Sequence, residues 1–330
     1  MTPTRKALLI GVQLALLPVY APVLLLCFFL TMVPTFPTRT GLANLKDRLS
    51  ARGAGAHALL ACVYFNYFVY LIEVVLLWPL GLEVVEGEAD LLAYMGALKL
   101  KYGLPEKRGF VVVGAHFSNI ESAGAALCRT FRDARMGDHV ILAKPAASAW
   151  MTRLLDSYRT RRGIHLLWTD RKDLLRVLVE HARTGDSLCF LVDQKPASGG
   201  LFVRFFGAWA AFPYAGPDVG LRFEMPVLHV TARRILPGWF RLVYAEGENS
   251  HLRVARSMPP DVERSGTRYE VNEVYREQLT AKELRMAPIM GAYAGWLEAV
   301  IRSAPTQWFW DYRKWSRKPG PSNKAADSAD

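Results

Sequence analysis

Residues 110–124 read Phe-Val-Val-Val-Gly-Ala-His-Phe-Ser-Asn-Ile-Glu-Ser-Ala-Gly, and this stretch constrains the chain more than any other. The run Phe110–Val113 is short, apolar and β-branched, as a buried core strand should be. Gly114 is expected to release the backbone where that strand ends. Ser118 suits an N-cap, with Glu121 three residues on, so a helix should begin there. His116 then sits on the loop between strand end and helix start, where open α/β sheets place their ligands. A histidine at such a position accepts a proton near neutral pH. A carboxylate one turn on can fix its tautomer and stabilise its charged form. Read alone, the stretch is better explained by Glu121 as an ordinary cap and His116 as a hydrogen-bonded turn residue. The pairing gains weight only from stretches later in the chain.

From Gly81 onward, strands alternate with helices. Leu82–Glu86, Val140–Ala143, Ile164–Trp168, Ser187–Val192, Pro226–Ala232 and Phe240–Ala245 read as strands. Asp90–Tyr102, Ala149–Arg161 and the segment from Thr169 to His181 have helical spacing, and Pro288 is expected in the first turn of a helix reaching Ile301. The expected fold class is α/β, a mixed, largely parallel sheet flanked by helices. Glu246–Ala281 is polar and reads as irregular. The expected division is an N-terminal membrane anchor over 1–40, apolar interface or packing helices over 41–82, the α/β domain over 83–315 and a disordered tail over 316–330.

The first part of the chain has a different solvent in mind. Ala7 to Thr38 contains no charged residue and is long enough to span a bilayer. Pro18 and Pro22 interrupt it, so a kinked helix or a re-entrant hairpin is expected. No small-x-small cleavage site follows its core, which weighs against a removed signal peptide. Arg39, Lys46, Arg48 and Arg52 follow the segment and outnumber Arg5 and Lys6 before it, which places the body of the protein on the cytoplasmic side. Ala54–Leu82 is a second apolar, aromatic-rich stretch, but Glu73 inside it is costly against lipid. A helix packed on the domain at the membrane interface is the better reading.

The formal net charge is +11, which suggests an anionic partner. No zinc-finger spacing or RNA-binding aromatic signature is present, so nucleic acid is not expected. Cys27, Cys62, Cys128 and Cys189 lie far apart without a C-x-x-C, a pattern suited to a reducing compartment rather than a metal cluster.

Several motifs stand in one order: Gly114-Ala115-His116 through Glu121; Asp170-Arg171-Lys172-Asp173; Leu191-Val192-Asp193-Gln194; Phe202 through Phe206-Gly207; and Ala304-Pro305-Thr306-Gln307-Trp308-Phe309-Trp310 through Arg313-Lys314-Trp315. This series resembles the lipid A biosynthesis acyltransferases (lauroyl/myristoyl acyltransferases) of the lysophospholipid acyltransferase superfamily, over about residues 80–318. The resemblance implies a glycerolipid acyltransferase-like α/β fold and an H-x-x-x-x-E dyad, with His116 as general base and Glu121 as its partner. It implies no metal and no cofactor. The co-substrate would be an acyl thioester, on acyl carrier protein or coenzyme A. The acceptor would be a membrane lipid at the cytoplasmic face of the inner membrane. Lys144, Arg153 and Arg159 are candidate cations for a phosphate or an oxyanion, each equally well explained as part of a solvated basic face. Asp193 and Gln194, at a strand end, can reach the same crevice and are candidates for a place behind the reacting groups or for orienting the acceptor, and a mere turn explains them as well. The Trp308–Trp310 cluster reads as structural packing. The acceptor stays open among a lipid A precursor, another glycolipid and an aminolipid. Two other readings fit the same residues: a glycerophospholipid acyltransferase, and a non-catalytic lipid-binding protein on the same fold.

Overall fold

The computed structural model describes residues 3–133, 137–145, 148–277, 279–316 and 319. The expected tail over 316–330 therefore lies almost wholly outside the described residues. In chain order the elements are α1 (Pro3–Leu30), α2 (Phe36–Leu49), α3 (Gly53–Ile72) running into a π-helical turn (Glu73–Leu77), β1 (Val84–Glu86), α4 (Glu88–Tyr102), β2 (Val111–Gly114), α5 (Ile120–Asp133), β3 (His139–Ala143), α6 (Ala149–Arg161), β4 (His165–Trp168), α7 (Leu174–Thr184), β5 (Ser187–Leu191), β6 (Leu201–Phe205), β7 (Ala208–Phe212), α8 (Ala215–Arg222), β8 (Val227–Leu236), β9 (Trp239–Glu246), α9 (Pro260–Ser265), α10 (Ala281–Ser303) and a short 3₁₀ turn (Pro305–Gln307).

Seven strands form one sheet in the order β1-β9-β8-β2-β5-β3-β4. Only β8 and β9 pair antiparallel; the remaining neighbours are parallel, as the alternating pattern predicts. The central strand β2 is buried at every position. Its alternate side chains feed two cores. Val111 and Val113 join α10, α8 and the tryptophans of the C-terminal segment, while Val112 faces α4 and α5.

Two expectations change, and one motif gains its place. Pro18 and Pro22 lie inside one continuous helix, α1, rather than at a hairpin. Pro288 also lies inside its helix, because α10 begins at Ala281 behind a Thr280–Glu283 capping box that the sequence reading passed over. Phe202–Phe206 belongs to a two-stranded hairpin, β6–β7, set apart from the main sheet. Asn272 ties that hairpin to α10, donating to the Arg204 carbonyl at 2.8 Å and to Glu298 at 3.2 Å.

Glu73 explains why α3 carries a charge. Its carboxylate is buried and accepts from Arg234 Nε at 2.6 Å and Nη2 at 2.7 Å, from Asn119 Nδ2 at 2.9 Å and from the Gly238 backbone N–H at 2.9 Å. Asn66 adds a further acceptor for Arg234. The π-helical turn thus joins α3 to the β8–β9 hairpin and to the start of α5, a placement in keeping with the association of such turns with functional sites.

Candidate active site

The site forms where β2 and β5 end. Gly114 sits in tight quarters rather than at a left-handed turn: a Cβ there would stand 3.0 Å from the Val230 carbonyl oxygen and 3.1 Å from a Leu191 methyl, so its neighbours would have to give way. The left-handed residue is Ser118, at φ 58°. Tyr293 on α10 donates to the Gly114 carbonyl at 2.7 Å, pinning the strand end.

The helix start differs from the expected capping box. Asn119, not Ser118, caps α5: its Oδ1 accepts from the backbone N–H groups of Glu121 and Ser122, both at 3.1 Å. Those two donors are therefore spoken for and do not point at a substrate. The Asn119 amide nitrogen donates to Glu73, so one side chain caps the helix and anchors it to α3.

His116 Nδ1 lies 2.8 Å from Asp193 Oδ1. Asp193 is buried, and its second oxygen accepts from the Trp308 indole N–H at 3.3 Å. With Nδ1–H donating its hydrogen bond to the Asp193 carboxylate, the neutral imidazole carries its lone pair on Nε2. Burial works against the imidazolium, but the Asp193 carboxylate, by charge and by hydrogen bond, overrides it and raises the His116 pKa above its ordinary 6.5, with a smaller contribution from Glu121. Asp193 is driven the other way. Burial would favour its neutral form, yet the histidine beside it holds the carboxyl below its usual range. Two other histidines, His139 and His229, are pushed down to about 3 by burial alone, and neither ring nitrogen of either has a hydrogen-bond partner among the described residues.

Glu121 makes no hydrogen bond to His116. Its carboxylate is held by Arg159 on α6, from Nε at 2.9 and 3.1 Å and from Nη2 at 2.6 Å. The expected pairing is therefore not the one seen: the carboxylate within hydrogen-bond distance of His116 is Asp193, far away in sequence, and Glu121 partners the Arg159 guanidinium instead. Arg159 is correspondingly not a free cation. Four residues separate His116 from Glu121, but the loop carries His116 toward β5 before α5 begins, so its hydrogen-bond partner comes from the end of β5.

A cavity of about 860 Å³ opens beside the histidine, within the size range of small-molecule pockets. His116, Glu121, Lys144, Arg159 and Gln194 all line it. Its apolar walls come from both faces of the sheet: Leu127 and Ile141 from the side of α5, and Leu178, Phe190 and Val219 from the side of α7 and α8. Lys144 is exposed at its edge and has no ion pair among the described residues. Arg153 is exposed and does not line the cavity, so it leaves the site.

The C-terminal segment, expected to be mere packing, builds the loop that holds His116. Phe117 bridges Trp308 as an isolated antiparallel pair, and the Ser118 N–H donates to the Gln307 carbonyl at 2.7 Å. The Gln307 side chain accepts from the Arg234 N–H and donates to its carbonyl, both at 2.9 Å. Lys314 is fully buried, donating to the Ala211 carbonyl at 2.8 Å with its amine 3.4 Å over the Phe212 ring. Burial pushes its pKa far down and the charge of Asp193 pulls it back. An indole N–H is a donor that a buried carboxylate needs; that signal, Trp308 against Asp193, was present in the sequence but unlinked to the histidine.

A histidine at the carboxyl edge of the sheet, hydrogen-bonded to a buried carboxylate and lining a largely apolar cavity, is an arrangement that suits an α/β enzyme. Residues 43–317 match the family model described as bacterial lipid A biosynthesis acyltransferase, and the chain belongs to that family. A search of curated proteins gives no match. Family membership makes the protein an acyltransferase of the lipid A type.

Proposed function

We propose that the protein transfers a fatty acyl chain from an acyl thioester, on acyl carrier protein or coenzyme A, to a hydroxyl or amine of a lipid acceptor, a lipid A precursor or related glycolipid, at the cytoplasmic face of the inner membrane. The observation that carries the reading is the 2.8 Å contact between His116 Nδ1 and Asp193, which leaves Nε2 as the basic atom beside the cavity. An acceptor hydroxyl is a poor nucleophile until its proton is withdrawn, and Nε2 takes that proton as the oxygen attacks the thioester carbonyl. Asp193 stabilises the imidazolium that results. The oxyanion of the tetrahedral intermediate needs a cation or donors nearby, and Lys144 at the cavity edge supplies the charge. Collapse of the intermediate expels the thiolate, and the imidazolium proton goes to it. The apolar walls receive the acyl chain. Among the described residues two helices are long and apolar enough to cross a membrane, and in this reading they keep the enzyme beside its lipid acceptor.

Glu121 acts through Arg159 and through its own charge. Glu121→Gln leaves the Asn119 cap in place but weakens the grip on a guanidinium whose side chain is only 14 % exposed. Turnover should fall by roughly 10²-fold, the lower end of what lost acid–base assistance costs. The ascending limb of the pH profile should move little, because Asp193 sets most of the upward shift. A rate within twofold of the intact chain at every pH would remove Glu121 from the chemistry.

The donor side predicts a salt effect. An acidic carrier meeting a chain of net charge +11 is steered electrostatically. Donor kcat/KM should fall steadily as added salt shortens the screening length toward ~8 Å near physiological ionic strength. A flat response would argue against docking on the basic surface. The function itself is tested by lipid mass spectrometry of a host with and without the chain. A lipid that gains the mass of one acyl group names both acceptor and chain length; an unchanged lipid profile would favour the non-catalytic lipid-binding reading.

A further inference from the structure

The two apolar helices satisfy length and hydropathy for crossing a bilayer, yet their contacts leave no crossing free of the folded domain. Along α3, Leu60 and Val63 belong to the same core as Val111 and Val113 of the central strand. Tyr67 donates to Asp311 at 2.7 Å, Asn66 accepts from Arg234, and Tyr70 reaches Glu121. If α3 crossed the membrane, Asp311, Arg234 and Glu121 would be drawn into hydrocarbon, where ionised groups are expensive.

Helix α1 is 28 residues long, about 42 Å at 1.5 Å per residue, and runs antiparallel along α3. Leu9 packs with Leu77, Leu82 and Val84; Tyr20 meets Phe65 edge-on at 5.6 Å; and Thr31 Oγ1 lies 2.9 Å from His57 Nδ1. The start of α1 is tied to the domain, because Arg5 donates to the Gly81 carbonyl and Lys6 reaches Glu86 at 2.5 Å. At the other end, Asn44 on α2 donates to the carbonyls of Trp310 at 2.7 Å and Tyr312 at 3.0 Å. Both ends of the α1–α3 hairpin therefore rest on the same α/β domain. The outward face of α1 is bare: Leu14, Leu17, Leu24, Leu25 and Phe29 are all exposed. Exposed Arg39, Lys46 and Arg52 lie beyond its C-terminal end, where they match anionic headgroups.

We propose that the hairpin lies in the plane of one leaflet, α1 immersed in the acyl layer and α3 forming the seam between it and the domain, so that the chain docks on an anionic bilayer without crossing it. The proposal rests on the membrane association advanced above and changes its geometry. Composition alone favours a span, since in-plane helices usually carry a polar face; here the face that would be polar is covered by α3. The base is then close to the lipid surface: His116 lies 6.2 Å from Phe309, ring centre to ring centre, and Phe309 meets Tyr67 of α3 edge-on at 5.0 Å.

The test uses the full chain in the inner membrane of a Gram-negative host, carrying Thr4→Cys near the start of α1 or Gly55→Cys at the start of α3, with the unsubstituted chain as background for its native cysteines. Both positions are exposed, and a side chain at Gly55 meets nothing within 4 Å. A membrane-impermeant maleimide is applied to spheroplasts and to inverted vesicles, and labelling after detergent gives the total. If α1 alone crossed, residue 4 would lie outside; if both helices crossed, residue 55 would. In-plane docking predicts no gain over background in spheroplasts at either position, and labelling of both in inverted vesicles. Outside labelling of either cysteine in a membrane-bound chain overturns the in-plane geometry and leaves membrane association standing. Recovery of the chain in the soluble fraction overturns both.

Discussion

Asp193→Asn should lower acyl transfer by roughly 10²- to 10⁴-fold, the larger figure being the cost of a wrong histidine tautomer. The substitution keeps the shape of the side chain and removes its charge. Asparagine can present its N–H₂ group to His116 Nδ1, which then becomes the acceptor. The proton moves to Nε2, and the base is lost. The charge that raises the His116 pKa is lost with it. A base must be unprotonated to act, so activity of the intact chain rises as pH climbs through a histidine pKa lying above 6.5. In Asp193→Asn that limb should move to lower pH, since burial, which favours neutral imidazole, is then opposed chiefly by the weaker contribution of Glu121. Rate measured across pH beside the same profile for Glu121→Gln separates the two carboxylates. A larger downward shift in Glu121→Gln than in Asp193→Asn would restore the H-x-x-x-x-E pairing as the direct one.

Glu73→Ala should be the most destabilising single change outside the site. It leaves the Arg234 guanidinium, whose side chain is 5 % exposed, without its carboxylate, and strips acceptors from Asn119 and Gly238. Removing one member of a buried pair costs about 3–5 kcal/mol because the survivor is an uncompensated charge. The Tm of the detergent-solubilised chain should fall by on the order of 10 °C. Glu73→Leu combined with Arg234→Leu should regain part of that loss, since an apolar pair removes the stranded charge. Activity should suffer in the single variant beyond what the unfolded fraction explains, because Asn119 both caps α5 and leans on Glu73. A Tm unchanged in Glu73→Ala would mean that Arg234 finds another partner and that the π-helical turn does not anchor the catalytic helix.

The sequence announces the sheet because its signals are local. A β-branched run at 111–113 and the alternation of strands with helices need no knowledge of what lies opposite. His116 is legible for the same reason, standing at the end of a strand in an α/β pattern. Its partner is not, because the choice between Glu121 and Asp193 depends on how β2 and β5 align, with Gly114 opposite Leu191. Asp193 is placed correctly at a strand end by the sequence but receives its role only from that register. Gln307 and Trp308 stand in a recognisable motif, and Trp308 reads as packing from the sequence; their hydrogen bonds to Asp193, Ser118 and Arg234 join residues far apart in the chain. Lys144 and Arg159 look alike in sequence, and only the bidentate grip of Glu121 removes one of them from the list of free cations. Glu73, a warning against a simple span, is resolved by an arginine on β8 that no local pattern could nominate.

The most direct measurement is the acyl-transfer rate of His116→Ala, made on the purified full chain with an acyl thioester and the lipid acceptor that mass spectrometry identifies, beside its thermal midpoint. His116→Ala leaves the buried Asp193 carboxylate with only the Trp308 indole and the backbone N–H of residue 116 as hydrogen-bond donors. The midpoint should therefore fall, by at most the cost of a broken buried pair, about 3–5 kcal/mol, and the rate is compared at a temperature where the variant is folded. The rate should fall by at least roughly 10²-fold, with no recovery at higher pH, because the group that titrates is gone. A folded His116→Ala variant that transfers acyl chains within twofold of the intact chain would contradict the assignment of His116 as the base.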